Sequence, residues 1–310
     1  MAFTAQDVKD LREATGVGMM DCKRALTEAD GDMDQAIVYL RERGLAAAQK
    51  KAGRIAAEGI AYAAVFGNVG VVVEVNAETD FVAKNDTFVD FVKNVAEIVA
   101  TAGPADVAAL MDCAYPGTGK TVTEQQQEMI LVIGENLSIR RFARYTDGFS
   151  VPYVHAGGKI GVLVNLEVDG VANMDAVIEL GKDIAMQIAA MRPMYLDSSS
   201  VDAGELDKER EIQLNKAIEE NKAKNLPDDK ARQIAENMVK GRINKFYEEI
   251  CLLNQPYVKE NKLTVEKHVA QVAKELGGKI VVKAFTRFEK GEGIEKKQDD
   301  FAAEVASMVK

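Results

Sequence analysis

Apolar side chains in the first part of the chain recur at helical spacing in three short runs, and a glycine follows each run: Gly16, Gly31 and Gly44. A glycine just past an amphipathic run is typical of a helix C-terminus, because glycine adopts the left-handed backbone without strain. The stretch 46–54, rich in Ala and Lys, has the composition of a helical connector with a solvated face. The pattern therefore predicts a small three-helix domain over residues 1–55.

The middle of the chain repeats one order of elements. Val-rich segments at 70–75 and 161–166 read as buried strands, and each leads through a short loop into a helix with matching apolar spacing. A turn at Gly67-Asn68 indicates that the first of these strands belongs to a β-hairpin. Each copy closes with a segment typical of a strand, at 136–145 and 278–288. The sequence therefore predicts an α+β protein with two core subdomains related by duplication.

The predicted boundaries of these subdomains are 56–148 and 149–290. The second subdomain contains an insertion at about 200–250, where two long charged helical stretches are separated by Asn225-Leu226-Pro227. This pattern predicts a projecting antiparallel helical hairpin, which could form a homodimer, contact another protein or be solvated. Residues 291–310 have one apolar helical face and are predicted to form a C-terminal helical module.

The loops that follow the two Val-rich strands differ. The first loop carries Thr79-Asp80-Phe81, whereas the second, 168–174, has no such tripeptide. The fold can therefore be built without it. Phe81 could fold back as a lid over its own helix, or it could be directed at a partner protein. Its absence from the second copy favours a partner.

Composition limits the classes of function. The formal charge of −10 disfavours nucleic acid as a direct partner, and no apolar run is long enough for a membrane span. The cysteines, at 22, 113 and 251, lie far apart, which argues for a reducing compartment. His155 and His268 have no ligand at metal-binding spacing. We therefore expect a cytoplasmic protein that binds neither a metal nor a cofactor.

One segment is similar to a nucleotide-binding motif. Residues 114–121 match a relaxed phosphate-binding loop that ends in Lys120 and Thr121, with Ala in place of the leading Gly. Such loops follow a buried strand, and the preceding residues 106–112 have no strand pattern. No set of a nucleophile, a base and an oxyanion hole is apparent either, so we do not expect an enzyme. A P-loop nucleotide-binding protein stays open as an alternative.

Over essentially its whole length the chain resembles the translation elongation factor Ts family. The resemblance implies that the N-terminal helices form that family's small ubiquitin-associated-like domain. Seven separated segments carry the match: 11–26, 74–84, 133–136, 155–157, 238–242, 254–258 and 287–293.

The resemblance implies a guanine-nucleotide exchange factor for elongation factor Tu. Asp80 and Phe81 would enter between two helices of the GTPase, disturb the water-mediated hold on Mg²⁺ and loosen GDP. A scaffold that binds the GTPase without exchanging its nucleotide is a further alternative. The partner-binding residues that the resemblance implies are Thr79, Asp80, Phe81 and Val82, Ile133 and Gly134 nearby, His155, Met238 and Val239 on another domain of the GTPase, and Arg12, Met19, Met20 and Lys23 in the N-terminal domain.

Overall fold

The computed structural model describes residues 3–222 and 228–295 of the 310-residue chain. These residues form helices and small sheets, so the predicted α+β class is confirmed. The chain divides into two compact units. Unit 1 contains the described residues of Met1–Arg144, Val154–Gly161 and Phe288–Lys310; unit 2 contains those of Tyr145–Tyr153 and Val162–Arg287. The finer division into domains stays a prediction, and most of the predicted C-terminal module lies outside the described residues.

The predicted N-terminal helices are present as α1 (Ala5–Thr15), α2 (Met19–Glu28) and α3 (Met33–Lys51). Thr4 begins α1 with a capping box, in which its hydroxyl oxygen accepts from the Asp7 backbone N–H while the Asp7 carboxylate accepts from the Thr4 N–H at 2.6 Å. The helices enclose a common apolar core that includes Val8, Leu11, Cys22, Ala25, Leu26 and Leu40.

The prediction that Gly44 ends the third helix is wrong. Helix α3 continues through Gly44 to Lys51, and Gly44 is buried within it. A Cβ atom at this position would lie 3.3 Å from the backbone carbonyl oxygen of Gln127. The glycine therefore permits a close helix-to-helix approach, and its role is in packing rather than in ending the helix.

The first sheet consists of β1 (Glu58–Phe66), β2 (Val69–Ala77) and β3 (Leu137–Tyr145), in the order β1-β2-β3. Strands β1 and β2 are antiparallel, and Phe66 pairs with Val69 across a two-residue turn. The β-hairpin predicted from Gly67-Asn68 is thus confirmed. The chain from β2 to β3 forms α4 (Asp86–Ala102), α5 (Val107–Met111) and α6 (Val122–Ile133). Apolar faces of the strands and of α4 enclose the core of unit 1.

The second copy follows the same plan. Its elements are β4 (Phe149–His155), β5 (Ile160–Asp169), α7 (Met174–Met191), α8 (Ala203–Lys222), α9 (Asp228–Ile250), β6 (Pro256–Tyr257), β7 (Glu260–Thr264), α10 (Val265–Glu275) and β8 (Lys279–Glu289). The second sheet has the order β4-β5-β8, so in both sheets the second strand of the copy is central and the last strand pairs with it. This shared order agrees with the predicted duplication.

The predicted helical insertion is confirmed as α8 and α9, although its tip at residues 223–227 lies outside the described residues. Arg242 of α9 forms an ion pair with Glu220 of α8 at 2.6 Å, and its guanidinium also lies 3.5 Å from the Gln213 side-chain oxygen. Asn221, near the end of α8, lies beside Met238, which is closer to the start of α9 than Arg242 is. These pairings show that the two helices run antiparallel.

Candidate functional site

The loop after β2 holds two neighbouring apolar side chains in opposite environments. Val82 begins a short 3₁₀ turn and is buried in the core of unit 1, only 7% exposed. Phe81 directly before it is 79% exposed. The interpretation in which Phe81 forms a lid over its own helix is therefore wrong. The loop uses Val82 as its anchor and presents Phe81 to solvent.

Asp80 lies beside Phe81 on this surface. Its carboxylate pairs with the Lys84 ammonium at 3.0 Å, and both side chains are more than half exposed. Exposed pairs of this kind contribute little to stability, because solvent screens both charges. Asp80 can therefore leave Lys84 for a partner at low cost.

Hydrogen bonds between Glu78-Thr79 and Glu135-Asn136 run in both directions and hold this loop in place. The Thr79 N–H donates to Glu135 Oε2 at 2.9 Å, and the Thr79 hydroxyl donates to Glu135 Oε1 at 2.6 Å. In return, the Asn136 N–H donates to Glu78 Oε1 at 2.6 Å. We call these four residues, Glu78, Thr79, Glu135 and Asn136, the carboxylate bracket. It joins the loop after β2 to the loop between α6 and β3.

The carboxylate bracket brings together predicted site residues from separate parts of the sequence. Helix α6 ends at Ile133, and Gly134 caps it with a left-handed backbone, φ +85°. Both residues immediately precede Glu135. Asp80 and Phe81 follow Thr79 just as closely on the other loop. Because Thr79 and Glu135 are in direct contact, these two pairs of residues lie on neighbouring loops of one surface.

The end of α3 and the residues just after it support the carboxylate bracket. The Arg54 guanidinium lies 3.5 Å from the Glu78 carboxylate, and the Arg54 carbonyl accepts from the Asn136 side-chain amide at 2.9 Å. Lys51 reaches the carbonyl of Ile130 in α6 at 3.5 Å. Burial lowers the pKa of Lys51, and the neighbouring Arg54 charge adds to this, while Glu78 and Glu135 oppose it. The basic end of α3 thus lies against the two acidic groups of the bracket.

The predicted N-terminal contact residues form an exposed surface on the first two helices. Met20 is 71% exposed and Met19 47%, and Arg12 and Lys23 are also exposed. Cys22 points the other way into the helical core, where desolvation raises its thiol pKa. The α2 surface therefore offers apolar and basic side chains, and its cysteine is buried rather than reactive.

The other predicted contacts lie elsewhere. His155 is exposed at the end of β4, directly before a turn in which Ala156 and Gly157 have positive φ angles of 48° and 65°. This turn belongs to unit 1, and its Gly158 carbonyl accepts from the Ala61 N–H of β1 at 2.8 Å. Met238 and Val239 are half-buried on α9 in unit 2. None of these three residues is a member of the carboxylate bracket.

The segment that is similar to a phosphate-binding loop has a different geometry. It follows the helix α5 and closes on itself, with a bridge between Ala114 and Thr121 and a hydrogen bond from the Tyr115 N–H to the Lys120 carbonyl at 2.7 Å. The Lys120 ammonium pairs with Glu128 at 2.6 Å, and the Thr121 side chain caps α6. Both side chains that would contact phosphate and metal in a P-loop are therefore engaged in local structure.

The described residues contain no cluster of three or more His, Cys, Asp or Glu side chains able to hold a metal ion. Among the helices in the described part of the chain, none combines the length and apolar character that crossing a membrane requires.

Sequence reasoning missed three members of the carboxylate bracket as site residues: Glu78, Glu135 and Asn136. They stand inside the segments that carried the family resemblance, but nothing in the sequence indicated that their loops meet. The available signal was their position, since Glu78 directly precedes Thr79 and Glu135 directly follows Gly134.

Comparisons with known proteins agree with this architecture. The family model for elongation factor Ts matches residues 78–292. The chain is 47% identical to elongation factor Ts of Syntrophotalea carbinolica over 312 aligned positions, with full coverage of both chains. It is 51% identical to elongation factor Ts of Trichlorobacter lovleyi, covering 99% of this chain and 98% of the relative. With elongation factor Ts of Magnetococcus marinus the identity is 47%, over 100% and 99% of the two chains.

Matches of this extent place the protein in the class of translation elongation factors, and they cover the N-terminal helices as well as the core. Within that class, the chain belongs to the elongation factor Ts family.

Proposed function

We propose that this protein is a guanine-nucleotide exchange factor for elongation factor Tu and that Asp80 and Phe81 drive the release of GDP. The exposed Phe81 ring carries this proposal. It is 79% exposed on a loop that is otherwise anchored by a buried Val82 and by the carboxylate bracket. A large apolar side chain held out into water by a fixed backbone is suited to entering a partner.

The proposed action needs no chemical step by this chain. Phe81 enters between two helices of the GTPase's nucleotide-binding domain, and Asp80 exchanges its weak pairing with Lys84 for contacts there. This insertion disturbs the water-mediated hold on Mg²⁺ and weakens GDP binding. Because binding free energies are reciprocal, the chain binds the nucleotide-free GTPase more tightly by the same factor. The protein therefore acts as an exchange factor and not as an enzyme.

The energetics require a wide interface. Shifting an equilibrium by a factor of about 10⁴ takes roughly 5.5 kcal/mol of differential binding. Burying one Phe side chain supplies only about 1.5–3 kcal/mol. Contacts elsewhere must supply the difference. The other predicted contact residues that would do so are Ile133, Gly134, His155, Arg12, Met19, Met20, Lys23, Met238 and Val239.

The exposure of the predicted N-terminal contact residues supports a role for them in binding the GTPase. Met19 and Met20 present flexible apolar side chains, and Arg12 and Lys23 are exposed basic side chains on the same two helices. On this proposal, the N-terminal surface provides affinity and the Phe81 loop provides the effect on the nucleotide. Direct binding to nucleic acid or membrane has no part in it. A cytoplasmic location stays a prediction, as does a homodimer formed through the helical hairpin.

Release of a fluorescent GDP analogue from elongation factor Tu tests the proposed activity. The protein should accelerate release in a dose-dependent and saturable manner, and excess GTP should complete the exchange. Binding to elongation factor Tu with an unchanged release rate would instead support the scaffold alternative. Binding of ATP or GTP to the chain by itself would support the P-loop alternative, which the pairing of Lys120 with Glu128 disfavours.

A further inference from the structure

The carboxylate bracket connects two loops that carry separate parts of the proposed GTPase contact. Thr79 precedes Asp80 and Phe81, and Glu135 follows Ile133 and Gly134. The neighbouring strands β2 and β3 and the contacts of Arg54 also bring the two loops near each other, but the bracket joins them directly, beside the contact residues themselves. The bracket is therefore in a position to decide the spacing between the two sets of contact residues.

The chemistry of the bracket fixes orientation as well as distance. Both oxygens of the Glu135 carboxylate accept from one residue, the first from the Thr79 N–H and the second from the Thr79 hydroxyl. A carboxylate that accepts two hydrogen bonds from one residue restricts rotation as well as translation. The bond from the Asn136 N–H to Glu78 runs in the opposite direction and closes the contact from the other side. Sliding one loop along the other would break bonds at both carboxylates.

The second copy of the fold joins the corresponding loops in another way. There, the loop after β5 and the loop before β8 meet through glycines. A Cβ atom on Gly278 would lie 2.6 Å from the Asp169 carbonyl oxygen and 2.8 Å from the backbone carbonyl carbon of Gly170. Direct backbone contact is thus sufficient to close these loops. The first copy uses carboxylates where the second uses glycines, and only the first carries Thr79-Asp80-Phe81.

We infer that Glu135 and Glu78 are positioning residues, which hold the Phe81 loop at a fixed place beside Gly134 before the GTPase binds. This inference rests on the proposed exchange function. A loop that is already in its bound position loses less conformational freedom on association. If the bracket is broken, only a fraction of the molecules has the competent loop, and the apparent affinity falls by that fraction.

This role predicts a particular kinetic signature. Glu135→Gln keeps the size of the side chain but removes one of the two acceptor oxygens facing Thr79. The concentration that gives half-maximal GDP release should rise about tenfold, because one hydrogen bond to a charged group is lost. The maximal release rate should stay near that of the wild type, since Phe81 is intact once the complex has formed. Phe81→Ala should show the opposite pattern, with a lower maximal rate.

The experiment is a titration of fluorescent-GDP release from elongation factor Tu with the full chain and its variants. Glu128→Gln is the matched control, because Glu128 is an ion-paired carboxylate on α6, the helix that leads into the loop of Glu135, and lies outside the bracket. It should leave the half-maximal concentration unchanged. Thr79→Val removes the hydroxyl donor and should act like Glu135→Gln, whereas Thr79→Ser keeps the donor and should restore behaviour close to the wild type.

The outcomes separate this inference from the proposed function. If Glu135→Gln and Thr79→Val only lower the melting temperature and leave the half-maximal concentration unchanged, the bracket is purely structural and the inference is overturned. The same holds if Thr79→Ser is as defective as Thr79→Val. If Phe81→Ala leaves the maximal rate unchanged, the proposed role of Phe81 fails, whatever the bracket variants do.

Discussion

Thr79 places both of its donors, the backbone N–H and the side-chain hydroxyl, on the two oxygens of the Glu135 carboxylate, at 2.9 and 2.6 Å. The two residues lie 56 positions apart in the sequence. Through this contact, the loop after β2 is held at both ends, by Thr79 before Phe81 and by the buried Val82 after it. An exposed aromatic ring between two such anchors has a defined position.

Truncation of the two neighbouring residues Phe81 and Val82 should change the free energy of unfolding by very different amounts. Val82→Ala should lower the free energy of unfolding by about 2 kcal/mol, because it removes buried methyl groups and leaves a cavity. Phe81→Ala should change it by less than about 0.5 kcal/mol, since the ring is 79% exposed. Urea denaturation of both variants measures this difference. A loss with Phe81→Ala as large as that with Val82→Ala would mean that the ring packs on its own helix.

The close approach of α3 to α6 predicts a strong dependence on side-chain size at Gly44. Gly44→Val should destabilise the protein by about 1–3 kcal/mol, because even a Cβ atom would lie 3.3 Å from the Gln127 carbonyl oxygen. Gly241→Val is the matched control in α9, where a Cβ atom would meet nothing within 4 Å. It should be neutral or slightly stabilising, since valine has a higher helix propensity than glycine. Equal effects of the two changes on thermal unfolding would exclude a packing role for Gly44.

His268 predicts a pH dependence of stability in unit 2. Its ring stacks on Tyr257, with ring centroids 4.0 Å apart. Burial lowers the pKa of His268 below its usual 6.5, and Lys259 adds to this, while Asp183, Glu260 and Glu275 oppose it. The unfolded chain therefore binds this proton more readily than the folded protein does. Stability should fall as the pH drops through about 6.5 and towards the lower folded-state pKa.

His268→Phe isolates this contribution, because it keeps an aromatic ring against Tyr257 but cannot take up a proton. Urea denaturation at pH 7.5 and pH 5.5 should give a smaller loss of stability on acidification for the variant than for the wild type. The fixed change in packing appears at both pH values and cancels in the comparison. An identical loss in both proteins would show that His268 does not contribute to the acid sensitivity.

Lys120 provides a test of the P-loop alternative. Lys120→Ala should leave exchange activity intact and lower stability by no more than about 1 kcal/mol, because the lost pair with Glu128 is partly solvent-exposed. Exchange assays and thermal unfolding on the same preparation measure both quantities. A loss of exchange activity together with loss of direct nucleotide binding would restore the phosphate-binding interpretation of residues 114–121.

Much of the fold could be predicted from local patterns. The hairpin at Gly67-Asn68 and the capped helices follow from short-range sequence signals, and the duplication follows from the repeated order of strands and helices. Gly44 shows a case in which short-range sequence signals give the wrong prediction. A glycine after an amphipathic run predicts a helix end, but here the packing partner Gln127 is far away in the sequence and decides the outcome.

The candidate site could be predicted only in part, for the same reason. Phe81 was apparent as an apolar residue that only one of two similar loops carries. The carboxylate bracket was not apparent, because Glu78 and Glu135 are two among 49 acidic residues. Their pairing depends on β2 and β3 being neighbours in the sheet and on α6 ending beside them. Only the folded chain brings these separate loops together.

The central claim is that Phe81 drives nucleotide release, and a comparison of maximal rates tests it most directly. Fluorescent-GDP release from elongation factor Tu should be measured at saturating concentrations of the wild type and of Phe81→Ala, with folding of both proteins confirmed by their melting temperatures. The account predicts a maximal release rate at least tenfold lower for Phe81→Ala, in line with the loss of about 1.5–3 kcal/mol of differential binding. An equal maximal rate for a folded Phe81→Ala protein would contradict it.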